Sequence, residues 1–125
     1  MKYLLDTHTL LWALGAPESL PDSVRAILED PSSSLLISIA TPWELAIKTH
    51  LGKIDAKAVL DQFEQLSGYD LLETRTSQVI RAGFLPDVHR DPFDRLLAAQ
   101  AIELRLTLLS RDAIFDRYGV KRIWN

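Results

Sequence analysis

Four short apolar runs alternate along this chain with stretches of helical periodicity, and no other feature restricts its fold as much. The runs are residues 2–5 (KYLL), 34–39 (SLLISI), 69–72 (YDLL) and 106–110 (LTLLS), with a possible fifth strand at 120–124. Each is too short for a core helix and is bounded by turn-forming residues, so each reads as a buried strand. Between them lie apolar residues at helical spacing: Leu10, Leu11 and Leu14 in 7–14; Val24, Ile27 and Leu28 in 21–29; Val59, Leu60, Phe63 and Leu66 in 56–67. Further helices are predicted at 41–51, 76–84 and 92–104, with a turn over 112–118. Strands separated by helices pair in parallel through right-handed crossovers. The expected fold is therefore α/β: a three-layer α/β/α sandwich around a central, mainly parallel sheet, in a single domain spanning 1–125.

Composition narrows the chemistry. The chain has no cysteine, which removes disulfides and thiolate-bound zinc, leaves oxygen and imidazole as the available metal ligands, and suits a cytoplasmic location. No apolar stretch approaches the roughly 20 residues of a membrane span. The apolar opening behind Lys2 is interrupted by Asp6 and His8, so it reads as part of the fold and not as a leader. A net charge of −3, with 17 acids against 14 lysines and arginines, argues against a broad basic face. That objection weakens if several acids converge on bound cations, which would then set the local field.

In open α/β sheets ligands bind beyond the carboxyl ends of the strands. The polar residues there are mostly acids. Asp6 follows the first strand directly, Glu44 lies in the helix after Ile39, and Asp112 lies two residues beyond Ser110. Asp94 opens the helix that precedes the fourth strand and can reach the same edge. Each has an ordinary structural reading. Asp6 and Asp112 can cap the turns they precede, Glu44 can close a capping box with Thr41, and Asp94 can do the same with Asp91. What the caps do not explain is the shared location. Four carboxylates on one edge repel unless cations neutralise them, and oxygen ligands suit a hard divalent ion such as Mg²⁺ or Mn²⁺. Such ions activate water against a phosphodiester.

The histidines carry less weight: His8 is placed to touch a metal or phosphate, and His50 and His89 read as surface residues. Arg90, Arg95 and Arg111 beside the acids are candidate phosphate contacts or, equally, solvated charges and ion-pair partners. Trp12 and Trp43 read as core or groove-lining, with contact to a protein partner as the sharper alternative. No H-E-x-x-H, GxxxxGK[ST] or GxGxxG pattern occurs. A receiver-type signalling domain fits poorly because Asp6 is followed by Thr7 and not by a second acid. A D-x-D phosphatase fails because the residue two beyond Asp6 is His8.

The segments LLDTHTLLWAL, ISIATPWELAIK, DPFDRLLAAQA and LLSRDAIFDRYGV, in that order, resemble the PIN-domain ribonucleases, and closely their VapC-type toxin branch. The resemblance runs from Tyr3 to about Val120. It places the family's metal-binding acids on Asp6, Glu44, Asp94 and Asp112, and its site-ordering hydroxyl on Ser110; Asp116 sometimes aligns with a further acid. It implies Mg²⁺- or Mn²⁺-dependent endonucleolytic cleavage of RNA, a homodimer, and inhibition by a cognate antitoxin entering a groove near the acids. A non-catalytic module that binds RNA or antitoxin remains the alternative.

Overall fold

The computed structural model describes residues 1–125. Five strands form one sheet: β1 (Lys2–Leu5), β2 (Ser34–Ser38), β3 (Asp70–Leu72), β4 (Thr107–Leu109) and β5 (Arg122–Ile123). Their order is β3-β2-β1-β4-β5, and every pairing is parallel. The helices are α1 (Thr7–Gly15), α2 (Asp22–Glu29), α3 (Ala40–His50), α4 (Lys57–Asp61), α5 (Thr76–Phe84) and α6 (Pro92–Leu104).

Period-two alternation divides the strand side chains between two cores. Tyr3 and Leu5 of β1, with Ile37 and Leu109, meet Leu10, Val24 and Leu45 from α1, α2 and α3. On the opposite face Leu4 and Leu108 meet Leu97, Ala98 and Ala101 of α6, together with Phe115. The three layers follow directly. Leu4, Leu5, Leu108 and Leu109 are fully enclosed, and each such burial contributes about 2–3 kcal/mol. Crossovers from β1 to β3 run over one face, and the long return from β3 to β4 runs over the other.

Because the chain reverses direction across the sheet at β1, the crevice between the ends of β1 and β4 is a topological switch point. Receiver domains, by contrast, have strand order 2-1-3-4-5. The order found here excludes that architecture.

Two predicted elements differ. The helix expected over 56–67 is one short helix, α4, followed by a 3-10 turn at Phe63–Gln65. The break at Gln62 turns Phe63 into the core, where it is buried. The helix expected from Thr41 begins one residue earlier, at Ala40. Ile39 still donates its N–H to Leu72 O (2.8 Å), so a single residue separates sheet from helix.

Candidate metal centre

Asp6 is the residue at which β1 ends and α1 begins. Its backbone N–H continues the ladder to Leu109 O (3.3 Å), and its side chain is the N-cap of α1, accepting from Thr9 N at 2.9 Å. The capping reading is therefore correct, but it uses only part of the carboxylate. Oδ1 also accepts from Thr9 Oγ1 (2.6 Å), while Oδ2 accepts from Ser110 Oγ (2.6 Å). A carboxylate oxygen has two lone pairs, so Oδ2 retains one for a cation. Asp6 is only 8% exposed.

Ser110, fully buried just beyond β4, joins two acids. Its Oγ donates to Asp6 and accepts from the Asp112 backbone N–H at 3.0 Å. Asp112 then caps the 3-10 turn Ala113–Tyr118 through Oδ1, which accepts from Ile114 N (3.0 Å), leaving Oδ2 turned towards His89.

Glu44 departs from its predicted local role. No capping box forms with Thr41, because Thr41 lies inside α3 and Ser38 Oγ accepts the Ala40 N–H (3.2 Å) instead. Glu44 is thereby free of the helix end. It is 4% exposed, with Oε1 accepting from Thr7 Oγ1 and Oε2 from Lys48 Nζ at 2.7 Å. Thr7 adjoins Asp6, so the hydroxyl links the second acid to the first.

Asp94 likewise does not return to the Asp91 N–H. Asp91 alone caps α6, accepting from Phe93 N (2.8 Å) and Asp94 N (3.2 Å). The Asp94 carboxylate instead lies 2.7 Å from His89 Nε2. Burial first, then the negative field of Asp91, push its pKa up to about 6; the His89 contact pulls it down, and Glu44 adds to the rise. Lys48 feels the same acids. Burial alone would lower its pKa, but Glu44, with Asp91 and Asp94 behind it, holds it above its ordinary value.

All four predicted acids therefore stand at one edge of the sheet, though not equally close. A tight group whose ligand atoms all lie within 4.8 Å of one another comprises Asp94, Asp112 and His89. Asp6 joins it through the Ser110 hydroxyl, and Glu44 lies close enough to Asp94 for its charge to raise the Asp94 pKa. The donor set of four carboxylates and an imidazole fits a hard or borderline divalent ion, and the Asp94 pKa, raised by burial first and by neighbouring acids second, marks a carboxylate that a cation would stabilise in its charged form.

His89 and Lys48 are the residues that sequence reasoning missed. His89 is no surface residue: its side chain is 22% exposed and it bridges two acids, 4.0 Å from Asp112 Oδ2. Its position depends on Arg95, which is not free to meet a phosphate. The Arg95 guanidinium donates to the carbonyls of Ala82, Gly83, Leu85, Pro86 and His89 at 2.8–3.3 Å. The signal available for Lys48 was its i,i+4 spacing from Glu44. Arg90 is exposed in a cavity shared with Asp87, His89 and Arg95, and Arg111 is exposed beside Asp112. Asp116 lies outside the acid group, held at 2.9 Å through both oxygens by Arg122, which also donates to Ser110 O (3.1 Å). His8 and Trp12 line a cavity with Asp6 and Asp112, whereas Trp43 is 64% exposed and packs edge-on to Phe93.

The PIN domain family model matches residues 3–121. No curated protein matches the sequence. Among solved structures, VapBC2 from Rickettsia felis, bound to a DNA fragment from its promoter, superposes with a TM-score of 0.74 at 23% identity, covering 100% of both chains. DNA-bound VapBC from Salmonella typhimurium gives 0.72 at 22% identity, covering 98% of this chain and 97% of the other. FitAcB from Neisseria gonorrhoeae gives 0.66 at 21%, covering 98% and 96%.

Proposed function

Because the chain belongs to the PIN domain family, we propose that it is a divalent-metal-dependent endoribonuclease acting as the toxin of a toxin–antitoxin pair. PIN domains are generally nucleases and generally use divalent metals. The observation that carries the reading is the convergence of Asp6, Glu44, Asp94 and Asp112 on the switch-point crevice, with Asp6 tied to Asp112 through the buried Ser110 hydroxyl.

In this reading Asp6, Asp94 and Asp112 hold Mg²⁺ or Mn²⁺, and Glu44 is a further ligand or orients the attacking water. When bound, such an ion lowers the pKa of water and offsets charge developing on the phosphodiester. Ser110 fixes the rotamer of Asp6 and the approach of Asp112. Thr7 and Lys48 fix Glu44. Arg111, exposed at the rim, supplies a cation for an adjoining phosphate.

Likeness to VapBC and FitAB chains supports a cognate antitoxin as partner. A homodimer is supported by α5, where Val79, Ile80 and Phe84 stand exposed, Phe84 by 87%. No helix is long and apolar enough to cross a membrane.

The test is cleavage of a mixed RNA pool by purified, antitoxin-free protein with Mg²⁺, Mn²⁺ or EDTA, beside Asp6→Asn. Asparagine caps helices as well as aspartate does, so the fold should persist while metal-dependent cutting is lost. Folded protein that cuts nothing with any metal, yet binds RNA or a partner, would establish the binding-module alternative instead.

A further inference from the structure

The mechanism leaves one wall of the crevice unexplained. Beside Asp6 and Asp112 lies a cavity of about 420 Å³ whose remaining lining is His8, Trp12, Arg111 and Ala113. His8 and Trp12 are four residues apart at the start of α1 and share one helix face, with ring centroids 5.8 Å apart. Trp124, just beyond β5, backs Trp12 at 5.7 Å. Thus a half-buried indole, braced by a second indole and extended by an exposed imidazole, stands next to two of the acids. The fourth element is a cation: Arg111 lines the same cavity and has no carboxylate within ion-pair distance, a state it shares with Arg75, Arg90, Arg105 and Arg117 outside the cavity.

We propose that this cavity is a nucleobase subsite, in which Trp12 and His8 stack an unpaired base of single-stranded RNA beside the scissile phosphate and Arg111 meets the neighbouring phosphate. The proposal rests on the nuclease reading above and names the form of RNA it takes. The size suits one nucleotide. Stacking on an aromatic wall needs a base already out of a helix, because the bases of duplex RNA are stacked on one another and not offered to side chains. Every base has a π-face, so the subsite discriminates a base from no base and does not select one sequence. Acids alone would repel the strand; Arg111 is the cation that the overall charge of −3 does not otherwise provide at this rim.

The experiment uses the full chain carrying Trp43→Phe, which removes the exposed indole signal, with Ca²⁺ in place of a catalytic ion. Two uncleavable probes are compared: a 2′-O-methyl uridylate hexamer and the same backbone with all bases removed. Tryptophan fluorescence and Kd are read. The base-bearing hexamer should quench fluorescence and bind about tenfold more tightly than the abasic one. Trp12→Leu should abolish that ratio and Trp12→Phe should retain most of it. His8→Ala, which removes an exposed ring and leaves the core intact, should reduce it. Arg111→Ala should weaken both probes alike and lower the salt dependence by about one ion. Equal binding of the two hexamers, or a ratio that survives both Trp12→Leu and His8→Ala, overturns the subsite. If neither hexamer binds, the cavity belongs to a protein segment and the proposal falls. Cleavage of the RNA pool separates the two readings: cutting without base discrimination leaves the nuclease standing and removes the subsite. Base discrimination without cutting under any metal keeps the binding site and removes the nuclease.

Discussion

Ser110 shows how much one hydroxyl governs. It is enclosed, donates to one acid and receives the backbone N–H of another, so Ser110→Ala leaves polar groups on both sides short of a partner. Removing it should lower stability by about 1–3 kcal/mol, read as a shifted urea midpoint. Mn²⁺ affinity, measured by calorimetry, should fall by about tenfold or more, as for other groups that orient metal ligands. The ion pair behind it should impose a pH dependence. Hydrogen bonds from Arg122 hold the Asp116 carboxyl below the ordinary carboxylate range, so its contribution is present at neutral pH and lost as pH falls through the depressed value. Asp116→Asn should therefore unfold at lower urea than the parent at pH 7, with the gap narrowing as pH falls below the ordinary carboxylate range. The positions of Asp6 and Asp112 were legible in the sequence because strand ends are where ligands gather in such sheets, whereas Ser110 came from the family resemblance. His89 was not. Nothing in its neighbours' spacing reveals that an arginine six residues later will hold its carbonyl.

At the scale of elements, that arginine organises the loop between α5 and α6. A guanidinium offers five N–H donors in a rigid fork, which is what five carbonyls require and what an ammonium cannot supply. Arg95→Lys should thus behave as a disruptive change, costing about 2–3 kcal/mol and increasing amide exchange across residues 83–90. Short apolar runs alternating with stretches of period 3.6 revealed nearly every strand and helix. The misreading at the start of α3 has a tertiary cause. Thr41-Pro42-Trp43-Glu44 has the spacing of a capping box, but Ser38 takes over the helix end because a single residue separates strand from helix there. A tertiary hydrogen bond from Ile39 to β3 overrides a four-residue pattern, and its consequence is functional, since it frees Glu44 for the crevice.

For the whole molecule, sheet and crevice leave α5 as the principal apolar surface without a partner in the chain. Phe84→Glu should keep the monomer folded, because the side chain is almost wholly exposed, and should halve the mass seen by light scattering if α5 is the face a second copy covers. An unchanged mass would assign the face to something else.

The acids at residues 6, 44, 94 and 112 also give the molecule a history. The hydroxyl that orients Asp6 stands 104 positions later in the chain. Until β4 has been made and laid against β1, Asp6 has no Ser110, Asp112 has no crevice to face, and His89 bridges nothing. The crevice therefore does not exist in any chain that stops short of β4. If the protein cuts RNA, it acquires that ability only once β4 lies against β1, so that folding and activity arrive together.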